Sequence, residues 1–119
     1  GGFIDVESTI IALNIAGGTE SDLEAPTATA GSASAWLILN SAVIMQANYT
    51  DHGGNLFEID PQLAPLAFNG GPTQTHALKK GSLAINNGSN PNTEKTDQRG
   101  AGFARRLGSA VDIGAYERQ

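Results

Sequence analysis

The chain has 119 residues, the length of one modest domain, and its 39% apolar content is enough for a core but not for a large one. The fifteen glycines favour strands and loops over helices. The absence of cysteine excludes a disulfide framework and a thiolate metal site. The net charge of −5 is unevenly distributed: residues 1–60 carry eight acids and no Lys or Arg, whereas residues 61–119 carry all seven bases. Because binding to phosphates needs clustered Lys and Arg, the acidic half argues against nucleic acid as a partner.

The sequence has neither a membrane-spanning apolar stretch nor an initiator methionine. No stretch approaches the roughly 20 apolar residues that a transmembrane helix needs, so no membrane span is predicted. Residue 1 is Gly rather than Met. We therefore expect the chain to be a trimmed or processed fragment.

Short apolar stretches, separated by Asn, Gly and Ser, occupy the first half of the chain. They read FIDV, TIIAL, WLIL, AVIM and NLFEI. One constant offset aligns Phe3 with Trp36, Ile4 with Leu37, Val6 with Leu39, Ser8 with Ser41, Ile10 with Val43, Ile11 with Ile44, and Leu23 with Leu56. Such pieces fit a coil that turns a corner after each strand and stacks it on the equivalent strand one turn away.

This pattern leaves two architectures open. Residues 17–32 read as a polar loop thrown out from one corner of a coil. A small antiparallel sandwich would show a similar succession of short strands.

The second half contains ordered blocks that carry a family resemblance. In chain order they are Asp60-Pro61, Asn69-Gly70-Gly71-Pro72-Thr73, Thr75-His76-Ala77-Leu78, Gly81-Ser82, Ala84-Ile85, Thr96-Asp97-Gln98-Arg99-Gly100 and Asp112-Ile113-Gly114-Ala115-Tyr116-Glu117. From about Asp60 to Glu117 the chain resembles the C-terminal region of bacterial secreted right-handed parallel β-helix repeat proteins, of the choice-of-anchor or polymorphic outer membrane protein-like type. It departs from them at Asn86, where they usually have an acid, and at Leu83, where proline is common.

The resemblance implies an all-β fold: a short right-handed parallel β-helix of about two to three coils with a loop-rich C-terminal cap. Residues 1–60 would form the coils and residues 61–119 the cap, or closing segment, of the same domain. It also implies an extracellular or bacterial cell-surface location and no family-wide catalytic activity. We expect nine apolar side chains to plug the open end of the coil: Leu63, Leu66, Phe68, Leu78, Leu83, Ile85, Val111, Ile113 and Tyr116.

Two places hold weak catalytic candidates. Asp51, His52, Glu58 and Asp60 form a local group of acids and a base, as polysaccharide hydrolases and lyases require, but Asp51-His52-Gly53-Gly54 also reads as a polar corner turn. His76 could act as a base oriented by Asp97 or Asp112. The alternative that we favour is a half-buried histidine whose ring satisfies backbone carbonyls.

A structural clasp and a calcium site are the remaining candidates. We expect the planar fork of Arg99 to bind Asp112 or Glu117, so that the last loop is tied to the last strand. Together with Asp97 and His76, these residues make up the predicted structural clasp. No cofactor is predicted, although loop oxygens could hold Ca²⁺, the weak candidates being Asp51, Asn55, Asn87, Asn90 and Asp97.

The sequence therefore favours a non-enzymatic extracellular structural or adhesive module that presents corner loops to a glycan or a protein surface. The acidic first half and basic second half also allow a homo-oligomer or a head-to-tail filament, that is, a self-assembling fibre subunit. The alternative is the C-terminal part of a polysaccharide lyase, hydrolase or epimerase whose active groove lies upstream.

Overall fold

The computed structural model describes residues 3–12, 15–16, 19–20, 30–34, 37–38, 48–51, 53–57 and 59–119. Within these ranges the first half of the chain forms short strands. They are β1 (Phe3–Glu7), β2 (Ile10–Ile11), β3 (Ile15–Ala16), β4 (Thr19–Glu20), β5 (Ala30–Ser34), β6 (Leu37–Ile38), β7 (Asn48–Asp51) and β8 (Leu56–Phe57).

Six of these strands form two parallel three-stranded sheets. One sheet has the order β1-β5-β7 and the other has the order β2-β6-β8. Three successive passes of the chain thus each place one strand in each sheet, and every neighbouring pair is parallel. Because parallel neighbours need a crossover, the chain must leave each sheet and return to it on every pass.

The register of these strands differs from the constant offset expected from the sequence. Phe3 pairs with Ala30 rather than with Trp36, and Ile10 pairs with Leu37 rather than with Val43. On the next pass the spacing is shorter still, since Leu37 pairs with Leu56. The predicted alignment is therefore wrong for the described strands, because passes of unequal length cannot share one offset.

The predicted loop at residues 17–32 is also wrong at both of its described parts. Thr19–Glu20 is strand β4, which pairs antiparallel with β3, and residues 30–32 belong to β5. Residues 21–29 lie outside the described part of the chain.

Residues 61–119, the closing segment, contain no helix and no strand longer than a single bridge. Their apolar core is a cluster of Leu78, Ala84 and Ile113. Ile10 of β2 and Leu56 of β8 pack against this cluster, so the closing segment contacts both edge strands of the second sheet.

The burial of the closing segment separates the expected plug residues into two groups. Leu78, Val111 and Ile113 are buried, and Leu63, Ile85 and Tyr116 pack partly buried against the core. Leu66, Phe68 and Leu83 are instead 53%, 75% and 50% exposed, so their assignment to the plug is wrong. No helix in the described residues is long and apolar enough to cross a membrane.

Candidate functional site

The closing segment is built around Arg99, whose guanidinium is almost fully buried. Its Nη2 lies 2.6 Å from Oδ2 of Asp97, and its Nε donates to the same carboxylate. The remaining N–H groups reach backbone: Nη2 donates to the carbonyl of Glu117 at 2.7 Å and Nη1 to that of Asn69 at 3.2 Å. One side chain thereby joins three stretches of chain that are distant in sequence.

Two aromatic rings complete the environment of Arg99. Its guanidinium carbon lies 4.0 Å from the ring centroid of Phe103 and 4.0 Å from that of Tyr116. A planar guanidinium stacks on such faces more favourably than an ammonium group does, because it is weakly hydrated and delocalised. The site therefore suits Arg specifically, and not any cation.

The carboxylate of Asp97 binds Arg99 and the end of the chain together. Besides the guanidinium, it accepts the backbone N–H of Arg99 at 2.8 Å and that of Glu117 at 2.9 Å. Burial tends to raise the pKa of this carboxyl, but the hydrogen bonds and the charge of Arg99 outweigh burial and hold the pKa below its ordinary value. Asp97 therefore stays ionised as a structural anion.

Glu117 and Arg105 form a second buried ion pair. The pair joins Oε2 of Glu117 to Nη1 of Arg105 at 3.3 Å, and the carboxylate also accepts the backbone N–H groups of Asp112 and Leu107. Burial, assisted by the nearby charge of Asp112, raises the pKa of Glu117 above its ordinary value despite these bonds and Arg105. In the buried ion pairs of the closing segment, the pKa of Asp97 is thus lowered and the pKa of Glu117 is raised.

Asp112 uses its side chain to fasten two separate loops. Its Oδ1 accepts the N–H of Asn86 at 2.8 Å and its Oδ2 that of Arg118 at 2.7 Å, while its carbonyl accepts a bond from Arg105. Asn86 has a φ of 59°, a left-handed conformation that Asn adopts more readily than most residues. The left-handed backbone at position 86 therefore favours the Asn that stands there.

These five residues form what we call the buried charge cluster: Asp97, Arg99, Arg105, Asp112 and Glu117, all 8% exposed or less. Each of its carboxylates accepts at least two backbone N–H groups. In a region without sheet ladders, these carboxylates provide the acceptors that buried backbone requires.

The closing segment reaches back to the corner between β1 and β2. Gly114 donates its N–H to the carbonyl of Ser8 at 2.8 Å, and Ser89 donates its hydroxyl to Oε1 of Glu7 at 2.6 Å. Ser8 has a φ of 47°, so this corner is a tight turn in the left-handed region. A side chain on Gly88 would collide with Asp112 and with Ser8, which explains the glycine.

The predicted structural clasp is brought together only in part. Asp97, Arg99, Asp112 and Glu117 all lie in the buried charge cluster, but Arg99 binds Asp97 and not the carboxylate of Asp112 or Glu117. The expected side-chain partners of Arg99 are therefore wrong. Arg105 takes the carboxylate of Glu117 instead, and sequence reasoning missed it.

One consideration could have indicated a second buried arginine, but not which one. If Asp97, Asp112 and Glu117 are all buried around Arg99, another buried cation lowers the uncompensated negative charge. Arg105 and Arg106 are adjacent, and only Arg105 is buried.

His76 lies apart from this cluster. Its ring is exposed rather than half-buried, and Nδ1 lies 2.8 Å from the carbonyl of Ala64. The carboxylates of Asp97 and Asp112, its expected orienting partners, bind the groups described above. His76 therefore lies at another contact, where residues 62–67 run antiparallel to residues 75–79, and takes no part in the buried charge cluster.

The other catalytic candidates fall largely outside the described residues. His52 and Glu58 are not described, and for Asp51 only its backbone in β7 is described. Asp60 is exposed, and its Oδ1 accepts the N–H of Gln62 at 2.8 Å, the bond of an Asx turn.

The calcium candidates of the closing segment bind other groups. Asn87 donates to the carbonyls of Leu83 and Ile85, and Asn90 exchanges two bonds with the backbone of Glu94. Within the described ranges no three His, Asp or Glu side chains come close enough to hold a metal ion. The two candidates of the first half, Asp51 and Asn55, lie in β7 and just before β8, the latter partly buried.

Comparison with protein-family models, with curated proteins and with solved structures finds no match for this chain. The chemistry of the buried charge cluster must accordingly be inferred from its own geometry. Its charged groups bind each other and backbone, an arrangement that joins loops together.

Proposed function

We propose that the chain is a non-enzymatic extracellular structural or adhesive module, built as a short right-handed parallel β-helix whose end is fastened by the closing segment. The observation that carries the proposal is the passage of the chain through two parallel sheets three times in succession. A stack of this kind contacts only its neighbouring turns and presents its corner loops as an extended surface.

The buried charge cluster supports the structural role. Acid–base catalysis requires a carboxyl or imidazole that can reach a substrate proton. Asp97, Asp112 and Glu117 instead direct their oxygens to backbone N–H groups of the closing segment itself. These acids increase the order of the loops, as a scaffold that presents a surface requires.

The partner that we propose is a glycan or a protein surface, contacted through the corner loops between the strands. The purified chain should be incubated with a panel of polysaccharides and matrix proteins, while retention on each and release of reducing ends or unsaturated sugars are both recorded. We expect retention on at least one partner without any product.

The enzyme alternative predicts a different record from the same incubation. Product that accumulates with time and disappears in an Asp51→Asn, His52→Ala double variant would overturn the proposal and place the chain among polysaccharide-degrading enzymes. An antibody against the chain should also label intact cells that produce it, and label confined to the cell interior would contradict the extracellular role.

A further inference from the structure

A groove of about 1250 Å³ lies between the corner that joins β1 to β2 and the closing segment. The corner, from Glu7 to Ile10, lines one side, and residues drawn from 63–65, 75–79, 89–98 and 113–116 line the rest. All of its lining residues belong to the described part of the chain. Sites for small molecules usually enclose about 300–1,000 Å³, so this groove, which we call the corner groove, has room for a chain of several small units.

Hydrogen bonds hold the walls of the corner groove in place. Ser89 donates its hydroxyl to Oε1 of Glu7 at 2.6 Å, and this bond joins the closing segment to the corner. Asn90 exchanges two bonds of 2.9 Å with the backbone of Glu94. Asp97 of the buried charge cluster also lines the groove. A ligand therefore meets a site that is already formed, and little ordering of side chains opposes its binding.

Several side chains of the lining keep their polar groups available for a ligand. Within the described part of the chain, the side chains of Lys79, Asn92 and Glu94 and the hydroxyl of Tyr116 enter no hydrogen bond or ion pair. The first three are exposed, and Tyr116 is half-buried. Together they offer an ammonium, an amide, a carboxylate and a phenol, a set that both donates and accepts hydrogen bonds. Such a set suits a ligand that is rich in hydroxyl groups.

Apolar surface lies beside these polar groups in the corner groove. Ile10, Leu63 and Pro65 are part of the lining, and so is the ring of Tyr116, whose centroid lies 4.0 Å from the guanidinium carbon of Arg99. A tyrosine offers an apolar ring and a polar hydroxyl at once, and a sugar likewise carries apolar C–H groups beside its hydroxyls. The composition of the lining therefore matches a carbohydrate.

The charge of the corner groove favours a neutral carbohydrate. The two buried ions of the lining, Asp97 and Arg105, are each paired within the buried charge cluster. The other formal charges of the lining at neutral pH are Glu7 and Glu94 against Lys79. An anionic sugar or a phosphate is bound by clustered Arg and Lys, so the groove suits a ligand without charge.

A protein partner matches the corner groove less well than a glycan does. The core of a protein interface concentrates large apolar and aromatic side chains. Among the described residues, the exposed large hydrophobic side chains are Leu66, Phe68, Leu83 and Leu107, and none of the four lines the groove. A protein would therefore be expected to bind elsewhere on the closing segment.

We propose that the corner groove binds a neutral oligosaccharide of several sugar units. Its hydroxyls bond to the side chains of Asn92, Glu94 and Tyr116, and its C–H groups pack on the apolar part of the lining. The inference deepens the proposed function and rests on it, because it names a glycan as the partner and places it at the corner between β1 and β2.

The experiment is isothermal titration calorimetry of the full chain with defined sugars. The probes are neutral hexasaccharides of glucose, of mannose and of N-acetylglucosamine, with a hexasaccharide of galacturonic acid as the anionic comparison. We expect saturable binding of at least one neutral hexasaccharide, weaker binding of its monosaccharide, and weaker binding of the anionic hexasaccharide. Absence of binding by all three neutral probes, or tighter binding of the anionic one, would overturn the proposal.

Two variants of the lining test the site. The double variant Asn92→Ala, Glu94→Gln should raise the dissociation constant by about tenfold or more, since two or more hydrogen bonds to the sugar are lost or weakened. Tyr116→Phe removes only the hydroxyl and keeps the ring beside Arg99, so it should raise the constant by about fivefold. Both variants should keep the wild-type melting temperature, because the groups that they change bond to no described part of the chain.

Matched controls change exposed side chains that lie outside the corner groove. Gln74→Ala removes an amide, and Asp60→Asn neutralises a carboxylate. Both should bind the same hexasaccharide within about twofold of the wild type. Equal weakening in the controls and in the lining variants would overturn the proposal, because the sugar would then bind elsewhere.

A second measurement locates the bound sugar directly. The hexasaccharide that binds is prepared with a photoreactive diazirine, irradiated with the full chain, and the labelled peptides are identified by mass spectrometry. We expect label within residues 7–10 and 89–98. Label confined to other residues overturns the inference but leaves the proposed function intact, as does retention of the chain on a matrix protein alone. Release of shorter sugars from the hexasaccharide would overturn the proposed function and the inference together.

Discussion

The two halves of the chain order their backbone by different means. In the described strands of residues 3–57 the backbone bonds to backbone, strand on strand, in two parallel sheets. In residues 59–119 only isolated bridges occur; backbone bonds to backbone in turns, and the side chains of Asp97, Asp112 and Glu117 accept six further backbone N–H groups. The comparison teaches that buried carboxylates can supplement backbone bonding where the chain changes direction often.

This difference has an energetic consequence. A ladder of backbone bonds keeps its donors and acceptors through most substitutions, because only proline lacks a backbone N–H. Each member of the buried charge cluster instead joins several stretches, and a buried ion that loses its partner is strongly unfavourable. Stability in the closing segment should therefore depend on single residues to a greater extent than stability in the sheets.

The largest effect is expected for Arg99→Ala. The substitution leaves the carboxylate of Asp97 buried without its cation and removes the bonds to Asn69 and Glu117. We expect the free energy of unfolding to fall by about 3–5 kcal/mol, measured by urea denaturation.

Arg106→Ala is the matched control for Arg99→Ala. Arg106 is exposed and bonds only to nearby carbonyls of Gly108 and Ser109 among the described residues. Its loss should change stability by less than about 1 kcal/mol. Similar losses in the two variants would show that the buried charge cluster is not what orders the closing segment.

A smaller effect is expected for Gly71→Ala. A Cβ at this position would lie 2.6 Å from the Cα of Arg99, and φ is +77°. Gly100→Ala separates the two causes, because Gly100 has a φ of +85° but open space around it. We expect about 1–2 kcal/mol for Gly100→Ala, from the left-handed conformation, and about 1–3 kcal/mol more for Gly71→Ala, from the collision. Thermal unfolding of both variants checks this, and equal losses would contradict the close contact.

A third test uses pH to distinguish the two ion pairs. The lowered pKa of Asp97 contributes stability that is present above the unfolded pKa and is lost as pH falls through the folded one. The raised pKa of Glu117 has the opposite sign: its contribution is complete below the unfolded pKa and is lost as pH rises through the folded one. The melting temperature should therefore be highest on the acidic side of neutrality, between the two folded pKa values.

Glu117→Gln should remove the fall in melting temperature on the alkaline side of that optimum, since the residue can no longer ionise. Glu94→Gln, at an exposed position, is the control and should keep the wild-type profile. A wild-type profile that rises steadily from acid to neutral pH would contradict the raised pKa of Glu117.

The smallest effect is expected for His76→Ala. The exposed ring lies at hydrogen-bond distance from the carbonyl of Ala64, so its loss should lower the free energy of unfolding by about 0.5–1 kcal/mol. The neighbouring exposed residue Gln74 gives the control Gln74→Ala, which should be near neutral. A loss above about 2 kcal/mol in calorimetry would mean that His76 belongs to the tightly coupled part of the closing segment.

The sequence indicated some elements of the fold better than their pairing. The stretches FIDV and NLFEI contain β1 and β8 in large part, because β-branched and aromatic residues bounded by turn formers favour strands. Their register could not be predicted in this way. Matching the apolar residues of successive passes gave one constant offset, whereas the actual offset depends on the number of residues in each pass.

The candidate site shows the same limit. Arg99 and its acidic neighbours could be selected because TDQRG and VDIGAYE concentrate charge among turn residues. Which carboxylate binds which arginine could not be selected, since Asp97, Asp112 and Glu117 are chemically alike until the chain buries them.

By itself the sequence determined the composition of the two halves. Short apolar stretches without Lys or Arg come first, and a segment that contains every Lys and Arg follows. Only the tertiary structure decided that Arg105 is buried while Arg106 is exposed, and that Leu66 and Phe68 face outward while Leu78 faces inward. The physical reason is that burial depends on contacts between residues distant in sequence, and neighbouring residues of the same type differ only in those contacts.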